Sequence, residues 1–565
     1  VACAYLLAMS DKKETLLKAL VIGTFFSSLC IIIQSKILFP HLAEEAGIGK
    51  YIALVREQPI GFSSFIYHNI LGGYFCFIFP IAVYFGIVNQ RWFFTIATVG
   101  IITGLIFTTS RIAMGITLLS SLAILMILLK KRQLKSILLF VIVIIIGVSL
   151  AFTLLSANKK KGIGGALVEI EKKTGITQTA TSLLMRTEVW KDGFKAFIAK
   201  PVIGHGAGTF EYAYRQHYSG GVYTRYSHSA LLKIAIELGV PGVITFLLLL
   251  GGGIRSLKNK EWERNNYMAI LFIAFVAGFL FSMVDFALDT PSFFITLLFL
   301  ISLFMVEEKK EEAKNTSSLP FFSVIILLLL SFLFTSKVAL STNSVENGNG
   351  LEDLGLFNHA YESYSHAIKE MPLNDEGFMY MGNLLIKTYL RTRDEDERMK
   401  TKAVLESYLE VVEKHKTKDS ELIFTKAVAC ELLNKKSKAE LYYKEALFYY
   451  PASVYYAVRF ARFYLNQGNS GEAKKIIDSI NNYREKYRIF KNPDGVFFYI
   501  IRDLEAELAY REGYHKKAIE IAQMNLREAE TDTFVTSSIK GREFITRDRV
   551  IAYLKQRIKL YERDV

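Results

Sequence analysis

The sequence predicts an all-α protein: a polytopic membrane helical bundle followed by an α-solenoid. Three observations predict it. Hydrophobic residues make up 51% of the 565 positions, more than a soluble chain of this size needs for its core. The excess lies before residue 340, in apolar stretches that approach the roughly 20 residues required to cross a bilayer. Beyond about residue 350 the pattern changes to amphipathic helices with a recurring set of small and aromatic residues.

The membrane domain is expected over 1–340. Its apolar stretches fall near 15–39, 69–88, 93–110, 112–129, 136–155, 230–254, 267–287, 292–306 and 320–339. We read nine spans, of which 292–306 is short. Val1–Met9 reads as the tail of a tenth, so the chain is expected to be a fragment lacking its first helices. The basicity belongs to this half. Before Leu340 there are 32 Lys+Arg against 19 Asp+Glu, whereas the remainder holds 36 against 35.

Short connectors set the orientation, because Lys and Arg resist translocation. Lys12, Lys13, Lys18, Arg91, Lys130, Lys131, Arg132, Lys135, Arg255, Lys258, Lys260, Arg264, Lys309, Lys310 and Lys314 share one side if the nine spans hold. That side is expected to be the cytoplasm. The loop 40–68, the turn at Arg111, the loop 157–228 and the C-terminal repeats then face outward. The long loop carries 11 Lys+Arg and 5 Asp+Glu. A basic loop at a lipid face suits an anionic ligand such as a lipid-linked diphosphate; a solvated loop with ordinary lysines has the same composition.

The domain 350–565 reads as degenerate helical repeats. Ala360, Tyr364, Ala367 and Pro372 have offsets of 4, 3 and 5, and Ala439, Tyr443, Ala446 and Pro451 repeat them; Ala473 lies 34 residues after Ala439. Small residues let paired helices approach and the proline ends the second helix. The spacing is similar to that of tetratricopeptide repeats, whose period is 34. Such solenoids bind partners and seldom catalyse. Tyr442, Tyr443, Tyr449, Tyr450, Tyr455 and Tyr456 serve either as repeat core or as the lining of a groove. The D-x-D pattern in Asp394-Glu395-Asp396-Glu397 reads as a solvated connector. Cys3, Cys30, Cys76 and Cys430 have neither metal-ligand nor disulfide-framework spacing. No metal, cofactor or nucleic-acid partner is expected.

Three residues are candidates for chemistry. Arg111, in Thr108-Thr109-Ser110-Arg111-Ile112-Ala113, lies between two apolar runs, where a guanidinium is costly unless paired or facing a polar cavity. It can bind phosphate oxygens through two parallel bonds, or simply snorkel to the interface. Arg186 precedes Glu188, Trp190 and Asp192 on an amphipathic helix; an interfacial anchor is the alternative. His228, between Ser227 and Ser229, is the last polar group before a span and can act as general base toward a hydroxyl. His68, His205 and His217 compete with it. Gly204, Gly206 and Gly208 lack the strand that a dinucleotide-binding loop requires, so a turn that brings backbone near a ligand or helix is expected.

The order of these features resembles the O-antigen ligase and O-antigen polymerase superfamily of bacterial envelope glycosyltransferases. The features are Gly61-Phe62, His68-Asn69 with Gly72, Ser110-Arg111, Arg186 with Trp190, Pro201 with Gly204, Gly206, Gly208 and Phe210, His228-Ser229, and Glu237 with Gly239 and Gly242. The likeness covers about 40–310, and members often carry C-terminal tetratricopeptide repeats. It implies transfer of a glycan from undecaprenyl diphosphate to an acceptor at the outer face of the bacterial cytoplasmic membrane, without nucleotide sugar or metal. Arg111 and Arg186 would match the diphosphate-binding arginines and His228 the loop histidine near the reacting centre. Ser110, His68, Asn69, Gly206 and Ser229 would complete the substrate site. Many members have His-Asn where this chain has His228-Ser229. The acceptor, a lipid-A core, a growing glycan or a protein hydroxyl, stays open. A transporter of lipid-linked glycan, a scaffold built on the repeats, and repeats that recruit a partner supplying acceptor are the competing readings.

Overall fold

The computed structural model describes residues 13–38, 63, 67–156, 176–255, 266–308, 319–490, 493–531 and 547–564. Among them every regular element is a helix. Val1–Met9, Gly61-Phe62 and much of the loops 40–68 and 157–228 lie outside the described residues. The chain divides into two units: one formed by 1–190, 200–206 and 226–318, the other by 191–199, 207–225 and 319–565.

In the membrane unit the helices are α1 (Lys13–Ile33), α2 (His68–Val83), α3 (Trp92–Phe107), α4 (Arg111–Lys130), α5 (Leu134–Ser156), α6 (Ile176–Ala199, whose last turns join the other unit), α8 (Ala230–Arg255), α9 (Asn266–Val284) and α10 (Pro291–Glu308). The short α7 (Phe210–His217) belongs to the second unit. Among the described residues six helices are long and apolar enough to cross a membrane: 13–38, 68–88, 111–130, 134–155, 230–251 and 266–284. Trp92–Phe107 and Pro291–Phe304 are apolar but shorter. Leu118, Leu119, Leu122 and Met126 on α4, and Leu138 and Ile145 on α5, point outward, as side chains facing hydrocarbon must. Helical hydrogen bonding satisfies the peptide groups of the spans, the condition for crossing lipid, except at the break in 230–251, where Ile236, Glu237 and Val240 bond to the loop 201–206.

Helix α2 is the hub. Nearly all of it is buried among α1, α3, α4 and α9. Gly72 and Gly73 permit this, since a Cβ at Gly72 would stand 2.7 Å from the Ser110 side chain and one at Gly73 2.2 Å from Phe281. Small residues at crossings are how membrane helices gain close packing. Phe77, Phe281 and Phe293 fill the space between α2, α9 and α10.

The second unit runs through α11 (Leu319–Asp353), α12 (Phe357–Glu370), α13 (Asp375–Arg391), α14 (Glu395–Lys414), α15 (Ser420–Leu432), α16 (Lys436–Tyr449), α17 (Val454–Asn466), α18 (Ser470–Asn481), α19 (Arg484–Ile489), α20 (Phe497–Arg511), α21 (His515–Thr531) and α22 (Arg547–Tyr561). Successive helices pair as hairpins: α11 with α12, α15 with α16, α17 with α18, α20 with α21. Ala360, Tyr364 and Ala367 are fully buried, as are Ala439, Tyr443, Ala446 and Ala473. Tyr443 stacks on Phe460 and Tyr456 on Phe424, so these tyrosines are repeat core. Asp394 is the N-cap of α14, accepting from the Glu397 N–H at 2.9 Å. Its acidic neighbours occupy the first turn, where the helix dipole favours negative charge. The D-x-D pattern is a helix start.

Candidate active site

The candidate site gathers where α2, α4, α8 and α9 begin or end, beside the middle of α6. Its centre is Asp285, one residue beyond α9 and 1% exposed. A carboxylate buried so completely must be compensated. Arg186 Nη2 donates to Oδ2 at 3.3 Å, His228 Nδ1 meets Oδ1 at 3.3 Å, and the Phe286 N–H donates to Oδ1 at 2.9 Å. A neutral imidazole that donates Nδ1–H to this carboxylate leaves Nε2 as its acceptor, the tautomer that a general base requires.

The backbone around His228 is constrained. Its φ is 48°, a left-handed conformation uncommon for a side chain with Cβ. Trp190 Nε1 donates to the carbonyls of Ser227 and His228 at 3.2 and 3.3 Å, holding that turn from α6. Ser227 Oγ donates to the Ser229 carbonyl at 2.7 Å. Ser229 Oγ accepts from the Leu232 N–H at 3.4 Å and so caps α8. Serine and asparagine both serve as N-caps, which gives the residue after His228 a structural use.

On the other side, His68 opens α2 and its Nδ1 lies 2.8 Å from the Thr108 carbonyl. Asn69 Nδ2 donates to the Tyr67 hydroxyl at 3.3 Å. Thr109 has φ 54°, and this turn delivers buried Ser110 as the residue before α4, with Arg111 first in the helix. Tyr67, Phe286 and Tyr226 form a stack: Tyr226 is 4.1 Å from Phe286 at 11°, and Tyr67 5.7 Å from it at 27°. His228 meets the edge of Phe286 at 5.2 Å.

Arg186, His228 and Ser229 therefore share one neighbourhood with His68, Asn69 and Ser110, linked through Asp285 and the aromatic stack. Arg111 stands one residue from Ser110. Gly206 is placed elsewhere: its N–H donates to the Glu237 carbonyl at 2.9 Å, beside His205 N–H to Ile236 at 2.9 Å and Val240 N–H to Pro201 at 2.8 Å. Gly204 and Gly239 have φ 69° and 66°, and a Cβ on either would stand 2.3 Å from a carbonyl oxygen of the other segment. These glycines join the loop to the broken middle of α8 around Pro241. Asp285, Tyr226 and Phe286 are functional candidates that the sequence reading passed over; a carboxylate at the end of an apolar run was the available signal for Asp285.

Fold and site define a multi-pass helical membrane protein whose polar site lies at helix ends and which carries helical-hairpin repeats. Residues 96–247 are similar to the family model described as O-Antigen ligase. The match includes Ser110, Arg111, Arg186, Gly206, His228 and Ser229; Asp285 lies outside it. A Rickettsia conorii protein with a provisional polysaccharide-ligase name is 26% identical over 116 residues, 19% of this chain and 28% of that protein. The chain thus spans less than a third of that relative. Among solved structures, a tetratricopeptide-repeat protein of Thermus thermophilus aligns with 39% of this chain and 98% of its own (16% identity, TM-score 0.26). Yeast Tom70 aligns with 86% and 92% (11% identity, TM-score 0.26). At such scores neither likeness carries the fold; the hairpins with buried alanine and tyrosine do.

Proposed function

We propose that this chain transfers a glycan from undecaprenyl diphosphate to an acceptor hydroxyl at the outer face of the bacterial cytoplasmic membrane. The loop 157–228 and the repeats would lie outside the cytoplasm. The observation that carries this reading is the bonding of Arg186 and His228 to one buried carboxylate, Asp285. A cation for a leaving diphosphate and a base for an entering hydroxyl are thereby held together. Neither a transporter nor a scaffold requires that pairing.

Arg111 and Arg186 bind the diphosphate oxygens and offset the charge that grows as the glycosidic C–O bond breaks. Preorganised cations are most effective in a water-poor site. His228 Nε2 takes the proton of the acceptor hydroxyl as its oxygen attacks the anomeric carbon. The electron pair of the broken bond leaves with undecaprenyl diphosphate, and the anomeric centre inverts. His68 and Ser110 shape the donor side through the turn at Thr108. Gly206 acts by fixing the loop on α8. The reaction uses no nucleotide sugar and no metal. The acceptor is a lipid-A core, a growing glycan or a protein hydroxyl, and all three present the same nucleophile.

The test is transfer by full-length protein reconstituted with undecaprenyl-diphosphate oligosaccharide and envelope acceptors, with and without EDTA. Transfer that survives EDTA and is lost in Arg186→Ala and His228→Ala supports the reading. Movement of the lipid-linked glycan between leaflets, with no acceptor modified, would replace it with a transporter.

A further inference from the structure

We propose that the repeat unit is an intramolecular clamp that positions the loop bearing His228, by holding the chain's own segment Ala207–Arg225 through the buried Arg215. The functional part of this inference rests on the transfer reading above.

The loop is shared between the two units. Gly206 and Tyr226 belong to the membrane unit, and everything between them packs within the repeat unit. Arg215, on α7, is 3% exposed. Its Nε donates to the Tyr223 hydroxyl at 2.6 Å and its Nη2 to Glu211 at 2.5 Å. The same fork reaches the start of α15: Ser420 Oγ at 3.5 Å, Glu421 Oε1 at 3.5 Å and Asp419 Oδ2 at 3.9 Å. A guanidinium this deep is tolerated because three carboxylates face it, and removing either side would strand the other.

Aromatic rings seat the rest. Tyr218 packs against Tyr450 and Tyr487 at 5.9 and 6.4 Å, and Tyr223 stacks on Tyr450 at 6.0 Å. Gly220 lies so close that a Cβ there would stand 2.9 Å from the Tyr487 ring. A second tie lies farther along. Asp192 Oδ2 accepts from both Ser219 N–H and Ser219 Oγ, at 2.9 and 2.6 Å, and Lys486 Nζ donates to Ser219 Oγ at 2.7 Å. Asp192 rides on α6, the helix that also carries Arg186.

The clamp reaches almost to the base. Arg225 Nε pairs with Glu211 Oε1 at 3.2 Å, and only Tyr226 and Ser227 separate Arg225 from His228. Two linking residues allow little slack, since each spans at most about 3.6 Å. Trp190 holds the left-handed turn at His228 on one side, and on the other only two residues of chain join it to the clamped segment. Positioning errors near 1 Å are enough to slow a reaction about 100-fold.

The experiment uses the full chain in lipid nanodiscs, comparing wild type with Arg215→Ala, Arg215→Lys and the pair Ser219→Ala/Lys486→Ala. Hydrogen exchange is measured over 207–229, and transfer kinetics are measured in parallel. The clamp predicts about tenfold faster exchange through 218–229 in Arg215→Ala, with protection in α13 and α17 retained. It predicts kcat lowered about 10- to 100-fold with the KM for the lipid-linked glycan nearly unchanged, and partial recovery in Arg215→Lys. Unchanged exchange, or fast exchange with wild-type kcat, would overturn it. If Arg215→Ala unfolds the repeats, the Ser219→Ala/Lys486→Ala pair decides by the same readings. Wild-type protein without transfer would defeat the proposed reaction, while the exchange data would still decide whether the clamp exists.

Discussion

Replacing Asp285 by asparagine tests how the site holds together. The substitution keeps size and removes charge. Arg186 and His228 each stand 3.3 Å from a carboxylate oxygen. For a charged pair at that distance and an effective dielectric near 20, attraction is about 5 kcal/mol. Dehydration cancels much of this, and breaking a buried pair by removing one partner typically costs about 3–5 kcal/mol. Part of that cost falls on folding. The rest falls on the reaction, because the His228 ring loses the acceptor that fixes Nδ1–H. A misdirected general base forfeits about 10²–10⁴-fold in rate. Arg186 keeps its charge and loses its competitor, so donor binding should hold or tighten. The assay is steady-state transfer by Asp285→Asn in nanodiscs, with folding checked by circular dichroism. A kcat lowered about 100-fold or more with an unraised donor KM is expected. Wild-type kcat in folded Asp285→Asn would refute the argument that this carboxylate orients the base.

Other perturbations probe separate parts. Trp190→Phe removes the donor to the Ser227 and His228 carbonyls and should lower kcat about tenfold, each such bond contributing about 0.5–1.5 kcal/mol. Gly239→Ala places a Cβ against the Val202 carbonyl at positive φ; strain of about 1–3 kcal/mol should appear as faster proteolysis of the loop 200–206. Asp394→Ala should destabilise the repeats by about 1 kcal/mol, seen in thermal melts, and leave transfer indifferent to divalent ions. Burial pushes the Asp419 carboxyl up to about 7, although Arg215 opposes the rise. A folded pKa above the unfolded value near 3.9 means this group favours the folded state most at low pH. Its contribution fades as pH rises from about 4 through about 7. Asp419→Asn, which can still cap α15, should remove that part of the pH dependence of the melting temperature; an unchanged profile would contradict the assignment.

Much of this architecture is written in local pattern. Each of the nine apolar runs falls on a helix, because hydropathy over some twenty residues is a local property. Ala360, Tyr364 and Ala367, with their counterparts Ala439, Tyr443 and Ala446, marked buried hairpin positions through offsets within one helix. His228, His68 and Ser110 stand out as polar groups beside apolar runs, and Arg186 as a cation on an amphipathic helix. Their common partner does not, because Asp285 is 99 residues from Arg186 and 57 from His228, and one sequence does not encode such pairings visibly. Gly206 joins the substrate site only through the family resemblance; its N–H is bonded to the Glu237 carbonyl, a partner that the glycine series does not reveal. The sharing of the loop between the two units was equally invisible. Arg215 reads as one more basic loop residue until the carboxylates at Asp419 and Glu421 are folded around it.

The most direct test of the central claim is transfer of a labelled oligosaccharide from undecaprenyl diphosphate by reconstituted protein, with wild type, Arg186→Ala and His228→Ala compared at equal, folded levels. The account predicts labelled acceptor with wild type and about 10²-fold less or none with either variant. Labelled acceptor at the wild-type rate from both variants would contradict it.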